Sequence, residues 1–373
     1  GLSGIDLNTQ GAWDDYTGNG IVIGVVDDGV DYDHPDISPN FLSQYSYDYC
    51  GDDSDVMPAD SFDDGIDEVD WHGTAVAGIV AGKGDNGLGI AGVAYNASIV
   101  GLRLVAGDCE YEYDNEHTLN DLAISETLLH ELDNIDIYTN SWGPSDSGFR
   151  LGGAGPLSMA SLEYGITEGR DGLGSIYTWA NGNGLDNNDQ SNKDGFANSR
   201  YTISVGAVDW QGEQTWYAET GSNMLVSAPS NNYVSNPAIF TTDVSGSDGD
   251  SSTDYTSNMG GTSSATPMVA GVVALMLEAN QNLNWRDVQH ILIKTSRQVD
   301  TNHPGWFQTK VGNWYNHAYG YGLIDATAAV NLAKTWESVD SELTVNSGEI
   351  AVDEYIPDNN DNGISSTVTV NQS

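Results

Sequence analysis

Three residues of the chain carry the side chains that nucleophilic catalysis by a hydroxyl requires. Ser263 lies in the segment GGTSSATPMVAG, Asp27 in VVDDG and His72 in HGTAVAG. A serine hydroxyl is a poor nucleophile at neutral pH unless an imidazole takes its proton and a buried carboxylate orients that imidazole. If the fold brings these three side chains together, they supply acyl-transfer chemistry.

Each of these residues also has an ordinary structural explanation when it is taken alone. A strand-end aspartate is usually a cap, His-Gly is usually a turn, and Gly-Thr-Ser before a helix is usually an N-cap. The catalytic interpretation therefore depends on the joint occurrence of the three local contexts, and on the elements that must position them.

Hydrophobic patterns predict those elements. The run GIVIGVVDDGVDYDHPDI at 20–37 is typical of a central parallel strand and its C-terminal loop, which places Asp27 at a strand end. Small and apolar residues at 72–82 predict a packed helix. Because helix and strand patterns alternate up to about residue 230, we predict an α/β fold with a mostly parallel sheet and helices on both faces. The other predicted elements are strands at 96–105, 135–143 and 174–184, a helix at 119–132, and closing helices near 264–279, 285–295 and 324–334.

The predicted helix that follows Ser263 matters for the chemistry. Its dipole and the free N–H groups of its first turn favour negative charge beside the hydroxyl, as an oxyanion requires. We expect Pro267 in that first turn, where its missing N–H costs little. Reactive groups in open α/β sheets collect at the carboxyl ends of the strands, which is where Asp27 is expected.

The net charge of −44, from 55 Asp and Glu against 11 Lys and Arg, argues against several classes of partner. Nucleic acid and anionic membranes carry phosphates that such a chain repels, so we expect neither as a partner. No apolar run reaches the roughly 18 to 20 residues that span a bilayer. The acidity itself is explained by solubility, by cation binding through clustered Asp and Asn, or by a salty environment that screens the charges.

The compartment is indicated by the first residue, the cysteines and the composition. The chain begins at Gly1 with no signal-peptide pattern before it, so we expect a mature, processed product. Cys50 and Cys109 form one disulfide if the chain is secreted, although the sequence does not show that they lie close together. Low basic content and acidity favour a secreted bacterial enzyme.

Taken together, VVDDG, HGTAVAG and GTSSATPMVAG resemble the three active-site segments of the subtilisin-like serine proteases, in that family's chain order of Asp, His and Ser. The resemblance implies that Ser263 is the nucleophile, His72 the general base and acid, and Asp27 the orienting carboxylate. WANGNG resembles the family's oxyanion block, which makes Asn183 an amide donor to the developing negative charge. Asn181, two residues earlier in the same block, is the alternative asparagine if the alignment with the family is shifted.

The kexin and furin branch of that family is the most similar. YTNSWGPSDSG, DGFANSRYTISVGA and YNHAYGYGLIDA match blocks of the branch, and the resemblance covers residues 6–338. It implies a catalytic domain of the three-layer subtilisin-like fold at 1–338. Residues 339–373, too few for an independent core, would be the first strands of a β-sandwich P domain, truncated or processed, or a tail. Secretion, peptide or protein substrates and a propeptide or chaperone inhibitor are also implied.

The branch cleaves after basic residues, and this implies a set of acidic substrate contacts. Asp146 and Asp194 would line the pocket for a P1 Arg or Lys, because a buried cation needs carboxylate partners. Asp28 matches an acid that recognises a basic P2 residue. Trp142 and Gly143, in the Ser-Trp-Gly-Pro block, belong to the same substrate-binding surface.

The sequence also departs from the branch. The acids that usually recognise a basic P4 fall near Ile124 and Gly152, and the acid three residues before the active-site histidine is Val69, with Asp70 adjacent. We therefore expect strong P1 selectivity, a weaker P2 preference and an apolar P4. The segment 105–117 resembles an insertion.

Calcium is the cofactor that the resemblance implies. Six to eight oxygen ligands are typical of this cation. Asp146, Asp189 and Glu219 would form one site behind the P1 pocket. A second would use Asp36, Asn86 and backbone carbonyls of the loop Lys83–Ile90, namely those of Lys83, Leu88 and Ile90.

The leading hypothesis is a secreted, calcium-dependent serine endopeptidase that cuts after Arg or Lys through an acyl-enzyme on Ser263. A broad-specificity subtilisin-like protease is the nearest enzymatic alternative. A catalytically silent member that serves as a binding module, and an acidic calcium-binding structural protein, are the alternatives from other classes. None of the 11 basic residues is adjacent to another, a pattern that would limit self-digestion by such an enzyme.

Overall fold

The computed structural model describes residues 4–59, 69–107, 109, 120–232, 237–340 and 342. The chain divides into two compact units, Gly1–Glu337 and Ser338–Ser373. Every helix and strand named below lies in the first unit. The predicted P-domain strands and most of the predicted insertion at 105–117 lie outside the described residues.

A seven-stranded parallel sheet forms the centre of the first unit, and its strands are rich in buried β-branched residues. Its order is β2-β3-β1-β4-β5-β6-β7. The order reverses at β1, so the carboxyl end of β1, where Asp27 lies, is the topological switch point at which such sheets hold their ligands. The strands are β1 (Val22–Asp27), β2 (Tyr47–Asp48), β3 (Ser98–Arg103), β4 (Ile137–Asn140), β5 (Ile176–Ala180), β6 (Thr202–Val208) and β7 (Val226–Pro229).

Helices cover both faces of this sheet, which confirms the predicted three-layer α/β fold. Side chains of β1 alternate between the two cores, with Ile23 and Val25 on one face and Val26 on the other. The helices α1, α2, α5, α6 and α7 pack on the first face, and α3 and α4 on the second. The helices are α1 (Gln10–Trp13), α2 (His72–Ala81), α3 (Asp121–Leu128), α4 (Pro156–Gly172), α5 (Gly261–Ala279), α6 (Trp285–Thr295) and α7 (Ala326–Ala333).

Two helices differ from the sequence-based expectation. The helix predicted at 119–132 ends at Leu128, and Glu131 beyond it has a left-handed φ of 51°. No helix was predicted at α4, because its buried face consists mostly of small residues that give no hydrophobic periodicity. Those buried residues are Ser158, Ser161, Leu162, Gly165 and Gly169.

An antiparallel pair connects the two helices that carry His72 and Ser263. It consists of β8 (Ile239–Thr242) and β9 (Tyr255–Met259), and β9 leads directly into α5. The hydroxyls of Thr241 and Thr242 donate to carbonyl groups of α2 at 2.8 and 2.7 Å. A second small pair, β10 (Phe307–Gln308) and β11 (Trp314–Tyr315), lies near the end of the unit.

The helix α5 is apolar and, at 19 residues, long enough to cross a membrane by length and composition. This exceeds the expectation that no apolar run reaches that length. In the fold, 89% of the helix window is buried. Its apolar surface is therefore used by the core of the unit, where it packs against α2 and the central strands.

Candidate active site

The structure brings Asp27 and His72 into direct contact at the carboxyl edge of the sheet. His72 Nδ1 donates to Asp27 Oδ1 at 2.7 Å. Asp27 is 2% exposed, whereas the side chain of His72 is 32% exposed. A buried carboxylate that binds Nδ1 leaves Nε2 as the nitrogen that exchanges a proton with a substrate or a nucleophile.

Asp28 holds the start of α2 beside this pair. Its Oδ2 accepts the N–H of His72 at 3.1 Å and its Oδ1 the N–H of Gly73 at 2.6 Å. It thus caps the first turn of α2 from 44 residues away, where the N-cap residue Trp71 makes no side-chain bond, an interaction of about 1 kcal/mol. Gly73 permits this approach, since a Cβ there would lie 2.2 Å from the carbonyl oxygen of Gly29. The predicted role of Asp28 at a basic P2 residue must coexist with this capping role.

Asp27 and Asp28 shift the pKa of the His72 imidazole in the direction opposite to burial. Burial lowers the pKa of His72, but the charge of Asp27, the hydrogen bond to it and the charge of Asp28 outweigh burial and raise the pKa to about 9. Burial, with the neighbouring charge of Asp27, raises the pKa of Asp28 to about 7. Because solvent reaches a third of the imidazole, these fields are partly screened.

Ser263 lies in the first turn of α5, where Ser141 binds it on two sides. Ser263 Oγ donates to the carbonyl oxygen of Ser141 at 3.1 Å, and Ser141 Oγ donates to the carbonyl oxygen of Ser263 at 3.0 Å. Within the described ranges Ser263 Oγ has no hydrogen bond to His72. Catalytic hydrogen bonds are often long before substrate binds, so a rotation of the Ser263 hydroxyl is required to complete a triad.

Pro267 lies in the second turn of α5, so its predicted place in the first turn is wrong. The structure explains why the proline is tolerated there. An N–H at 267 would bond to the carbonyl of Ser263, four residues earlier. Ser141 Oγ satisfies that carbonyl instead.

The N-terminus of α5 leaves one backbone donor unused. The N–H groups of Gly261, Thr262 and Ser264 bond to Asn231 Oδ1, Asn183 Oδ1 and the carbonyl of Gly260. Among the described residues, the Ser263 N–H has no acceptor. It is therefore available to an oxyanion formed beside Ser263 Oγ.

Asn183 is oriented by the same turn. Its Oδ1 accepts both the N–H and the hydroxyl of Thr262, at 2.9 and 3.0 Å. Its Nδ2 is then the end of the amide that remains to donate. Asn181, the competing register, is fully buried and donates its Nδ2 to the carbonyl of Glu219 at 2.6 Å, so it is not placed as an oxyanion donor.

The predicted P1 acids, Asp146 and Asp194, line one small cavity together. Asp194 Oδ1 accepts the N–H groups of Phe196 and Ala197 at 2.7 and 3.2 Å, and burial raises the pKa of Asp194 to about 7. Gly143 lies beside it, since a Cβ there would be 3.0 Å from Asp194 Oδ2. Trp142 packs its ring edge against Trp179 and Phe196 below the cavity. The acids of the cavity wall are Asp146, Asp189, Asp194 and Glu219, and the bases are Arg150 and Lys193.

Three of these acids have the donor chemistry of a calcium site. Burial raises the pKa of Asp146, whose carboxyl group lies within hydrogen-bonding reach of Glu219. Burial and the charges of Asp189 and Asp146 raise the pKa of Glu219 to about 8. Oxygen donors that repel one another suit a hard divalent cation. Within the described ranges, however, no three acidic, His or Cys side chains are already arranged to hold a metal ion, so these carboxylates must rearrange to bind one.

The second predicted calcium site does not fit a cation as it stands. Both oxygens of Asp36 accept protein donors: Asn86 Nδ2 at 2.6 Å, the N–H of Ile90 at 3.0 Å and the hydroxyl of Tyr255 at 3.0 Å. Asn86 Oδ1 accepts the N–H of Leu88. The roles of Asp36, Asn86 and the carbonyls of the Lys83–Ile90 loop as calcium ligands stay predictions.

At the positions where the sequence departs from the branch, the structure shows three different environments. Ile124 is 5% exposed, so it does not build an open apolar P4 subsite. Gly152 pairs with the Lys193–Gly195 segment, and the exposed apolar residues before it are Phe149 and Leu151. Asp70 does not simply replace the acid missing at Val69, because its carboxylate accepts the N–H of Gly107 and lies 3.8 Å from a guanidinium nitrogen of Arg103.

The two cysteines are joined. Cys50 and Cys109 form a disulfide between Cα atoms 4.6 Å apart. The bond follows β2 and β3, on the side of the sheet that holds the Asp27–His72 pair. It fits an oxidising compartment.

Known proteins resemble the chain along most of its length. The model of the subtilase family matches residues 18–322. Proprotein convertase subtilisin/kexin type 6 of Rattus norvegicus is 41% identical over 338 residues, and Furin-1 of Xenopus laevis 39% identical over 336. Each alignment covers 90% of this chain, but the chain spans only 34% and 40% of those two relatives. The solved complex of an Aeromonas sobria serine protease with a chaperone has a TM-score of 0.74 and 25% identity, covering 87% of this chain and 61% of that one.

The relatives bear on two predictions. One is a proprotein convertase of the subtilisin/kexin type and the other a furin, which supports the predicted kexin and furin branch. Both are also animal proteins, so the predicted bacterial source is not supported.

Proposed function

Because the chain belongs to the subtilase family, we propose that it is a serine endopeptidase that cleaves peptide bonds after arginine or lysine. The observation that carries this proposal is the oxyanion site at the start of α5. There the N–H of Ser263 has no acceptor among the described residues, and Asn183 is held with its Nδ2 as the free end. A binding module would have no use for these two donors beside a serine hydroxyl.

The mechanism follows from the groups at the site. The Ser263 hydroxyl leaves the carbonyl of Ser141, passes its proton to His72 Nε2 and attacks the peptide carbonyl carbon. The Ser263 N–H and Asn183 Nδ2 bind the resulting oxyanion. His72 returns the proton to the departing amine, which leaves an acyl-enzyme that water hydrolyses with His72 again as base. Asp27 keeps its hydrogen bond to His72 Nδ1 and stabilises the imidazolium throughout.

Specificity for a basic P1 residue rests on the acidic cavity. Asp194, with its raised pKa, is a buried carboxylate that a guanidinium or ammonium would pair with. Burying a cation there exchanges water for carboxylate partners, whereas a P1 Phe would bring no charge to pair with those carboxylates. The convertase relatives support this choice over the broad-specificity alternative.

Calcium binding at Asp146, Asp189 and Glu219 belongs to the same proposal. The cation would neutralise the mutual repulsion of these buried carboxylates and so stiffen the wall of the P1 cavity. The disulfide supports secretion, and the chaperone complex of the bacterial neighbour supports a propeptide or chaperone as a partner.

A peptide panel that varies only P1 tests the proposal. Each peptide is assayed with calcium and with a chelator, and the enzyme is labelled in parallel with a fluorophosphonate. We expect Arg and Lys to exceed Phe in kcat/KM by about 100-fold or more. Equal rates for Phe and Arg would instead establish the broad-specificity protease, and absence of both turnover and label the silent binding module.

A further inference from the structure

Arg103 is the last residue of β3. Its guanidinium is buried between the segments that follow Asp27 and precede His72. It is 3% exposed. Its Nε donates to the carbonyl of Asp28 at 3.0 Å, one terminal nitrogen donates to Asp48 Oδ2 at 3.0 Å, and the other lies 3.8 Å from Asp70 Oδ2. A buried guanidinium is costly unless carboxylates and carbonyls surround it, so these contacts are strongly coupled.

Two of these contacts are to residues that lie close to the catalytic pair in the sequence. Arg103 is the register partner of Asp27 in the parallel pairing of β3 with β1, and it binds the carbonyl of Asp28, whose side chain caps α2. Asp70 lies two residues before His72. The same guanidinium thus contacts the loop after β1 and the segment that enters α2.

The third contact leads to the disulfide. Asp48, the last residue of β2, accepts the N–H of Cys50 on its other oxygen at 2.7 Å. The N–H of Gly107, two residues before Cys109, donates to Asp70 at 3.1 Å. Both disulfide-bearing segments are therefore attached to carboxylates that bind Arg103.

We propose that Arg103 is a positioning residue for the Asp27–His72 pair. Its guanidinium holds the loop after β1 and the segment before α2 in one arrangement, and its charge opposes the acids around the imidazole. This inference rests on the proposed function, in which His72 must be neutral to act as base.

The sign of the electrostatic effect follows from the surrounding charges. Among the residues that the structure describes, the acids that face His72 are Asp27 and Asp28, and those that face Arg103 include Asp48 and Asp70. Loss of the Arg103 charge leaves a more negative field, which favours the imidazolium. The pKa of His72 then rises, and the acidic limb of the kcat/KM profile moves to higher pH.

The test compares Arg103→Gln and Arg103→Lys with Arg170→Gln. Arg170 is a matched control: its side chain is 6% exposed, it donates to the carbonyls of Gly174 and Leu283, and it lies 3.4 Å from Asp136 at the amino edge of the sheet. We expect Arg103→Gln to raise the midpoint of the acidic limb by about half a pH unit. Arg103→Lys should restore the midpoint but not the full rate, since an ammonium lacks the fork of donors. Arg170→Gln should lower Tm and leave the midpoint unchanged.

A folded Arg103→Gln enzyme with an unchanged midpoint would overturn the proposal. If that variant does not fold, Arg103→Lys carries the test: it should keep the midpoint and lose part of kcat/KM, and full parental kcat/KM in a folded Arg103→Lys enzyme would overturn the positioning role. The titration of His72 is also followed by NMR, with His72→Gln for assignment. If the parent does not hydrolyse peptides, the proposed function fails, while the NMR midpoints still decide the role of Arg103.

Discussion

Two acidic regions flank the substrate site, and they differ in how their charge is balanced. Around the Asp27–His72 pair, Asp48 and Asp70 face a built-in cation, Arg103, and Asp28 binds the start of α2. Around the P1 cavity, the base Lys193 lies 3.4 Å from Asp189 but is otherwise held by carbonyls. Asp48 and Asp70, which the chain neutralises with Arg103, hold the machinery in place, whereas the buried acids of the P1 cavity are suited to a cation from outside.

Among the catalytic residues, the substitution with the largest expected effect is Ser263→Ala. We expect kcat/KM to fall by at least about 1,000-fold with the fold intact, because no other group at the site can form the acyl-enzyme. Ser264→Ala is the matched control, since Ser264 Oγ bonds to Ser230 and not to the site. Peptide turnover and fluorophosphonate labelling measure both. If Ser263→Ala retained a kcat/KM close to that of the parent enzyme, the mechanism through Ser263 would be excluded.

Asn183→Ala tests whether the oxyanion donor is correctly assigned. We expect kcat to fall by roughly 100- to 1,000-fold, or about 3 kcal/mol of barrier, with KM little changed. Asn181→Ala, which removes a buried bond to the carbonyl of Glu219, should lower Tm more and kcat less. The opposite ranking of the two kcat values would show that Asn181 is the donor.

Asp194→Asn tests the cavity side of the comparison. We expect kcat/KM for P1 Arg peptides to fall roughly 10- to 100-fold, because the cation loses a buried carboxylate, while slow cleavage after Phe is unchanged. Asp186→Asn removes the same charge from an exposed position and serves as the control. Equal losses for the two variants would mean that general acidity, rather than the cavity, selects the substrate.

The pH dependence of stability should expose the same cavity. Glu219, whose pKa is raised to about 8, keeps its proton in the folded state at pH values where the unfolded chain has lost it. Its stabilising contribution is present below the ordinary glutamate pKa of about 4.3 and is lost as the pH rises toward 8. In chelator we expect Tm to fall by a few degrees between pH 5 and 8.

Added calcium and two glutamate variants serve as controls for this dependence of Tm on pH. Millimolar calcium should remove most of the decrease in Tm, and Glu219→Gln should flatten the slope in chelator. Glu213→Gln, at an exposed glutamate, should leave the slope as it is. A flat slope for the parent in chelator would contradict the raised pKa, and a slope that calcium does not change would contradict the cation site.

The sequence was most informative where a reactive side chain lies at the end of a clearly predicted strand or the start of a clearly predicted helix. The apolar run into Asp27 predicts a strand end, and parallel strands place their ends at one edge, so the edge that holds the site was predictable. The helix after Ser263 was also predictable from its length and apolar content. These features depend on local patterns, which a single sequence displays.

Contacts between distant segments were not predictable. Nothing near Asp28 indicates that it caps a helix 44 residues away, and nothing near Pro267 indicates that Ser141 satisfies the carbonyl the proline leaves free. The bonds from Asn86, Ile90 and Tyr255 to Asp36 likewise join segments far apart in the sequence. Such contacts exist only once the chain has folded.

The disulfide joins cysteines 59 positions apart, and His72 lies inside the loop that it closes while Asp27 lies outside it. In the chain-entropy account, such a closure destabilises the unfolded ensemble by about 4 kcal/mol. A nick after Lys83 or Arg103, the basic residues within the loop, would therefore not release a fragment. The severed molecule would migrate as one species until a reductant separated its two pieces.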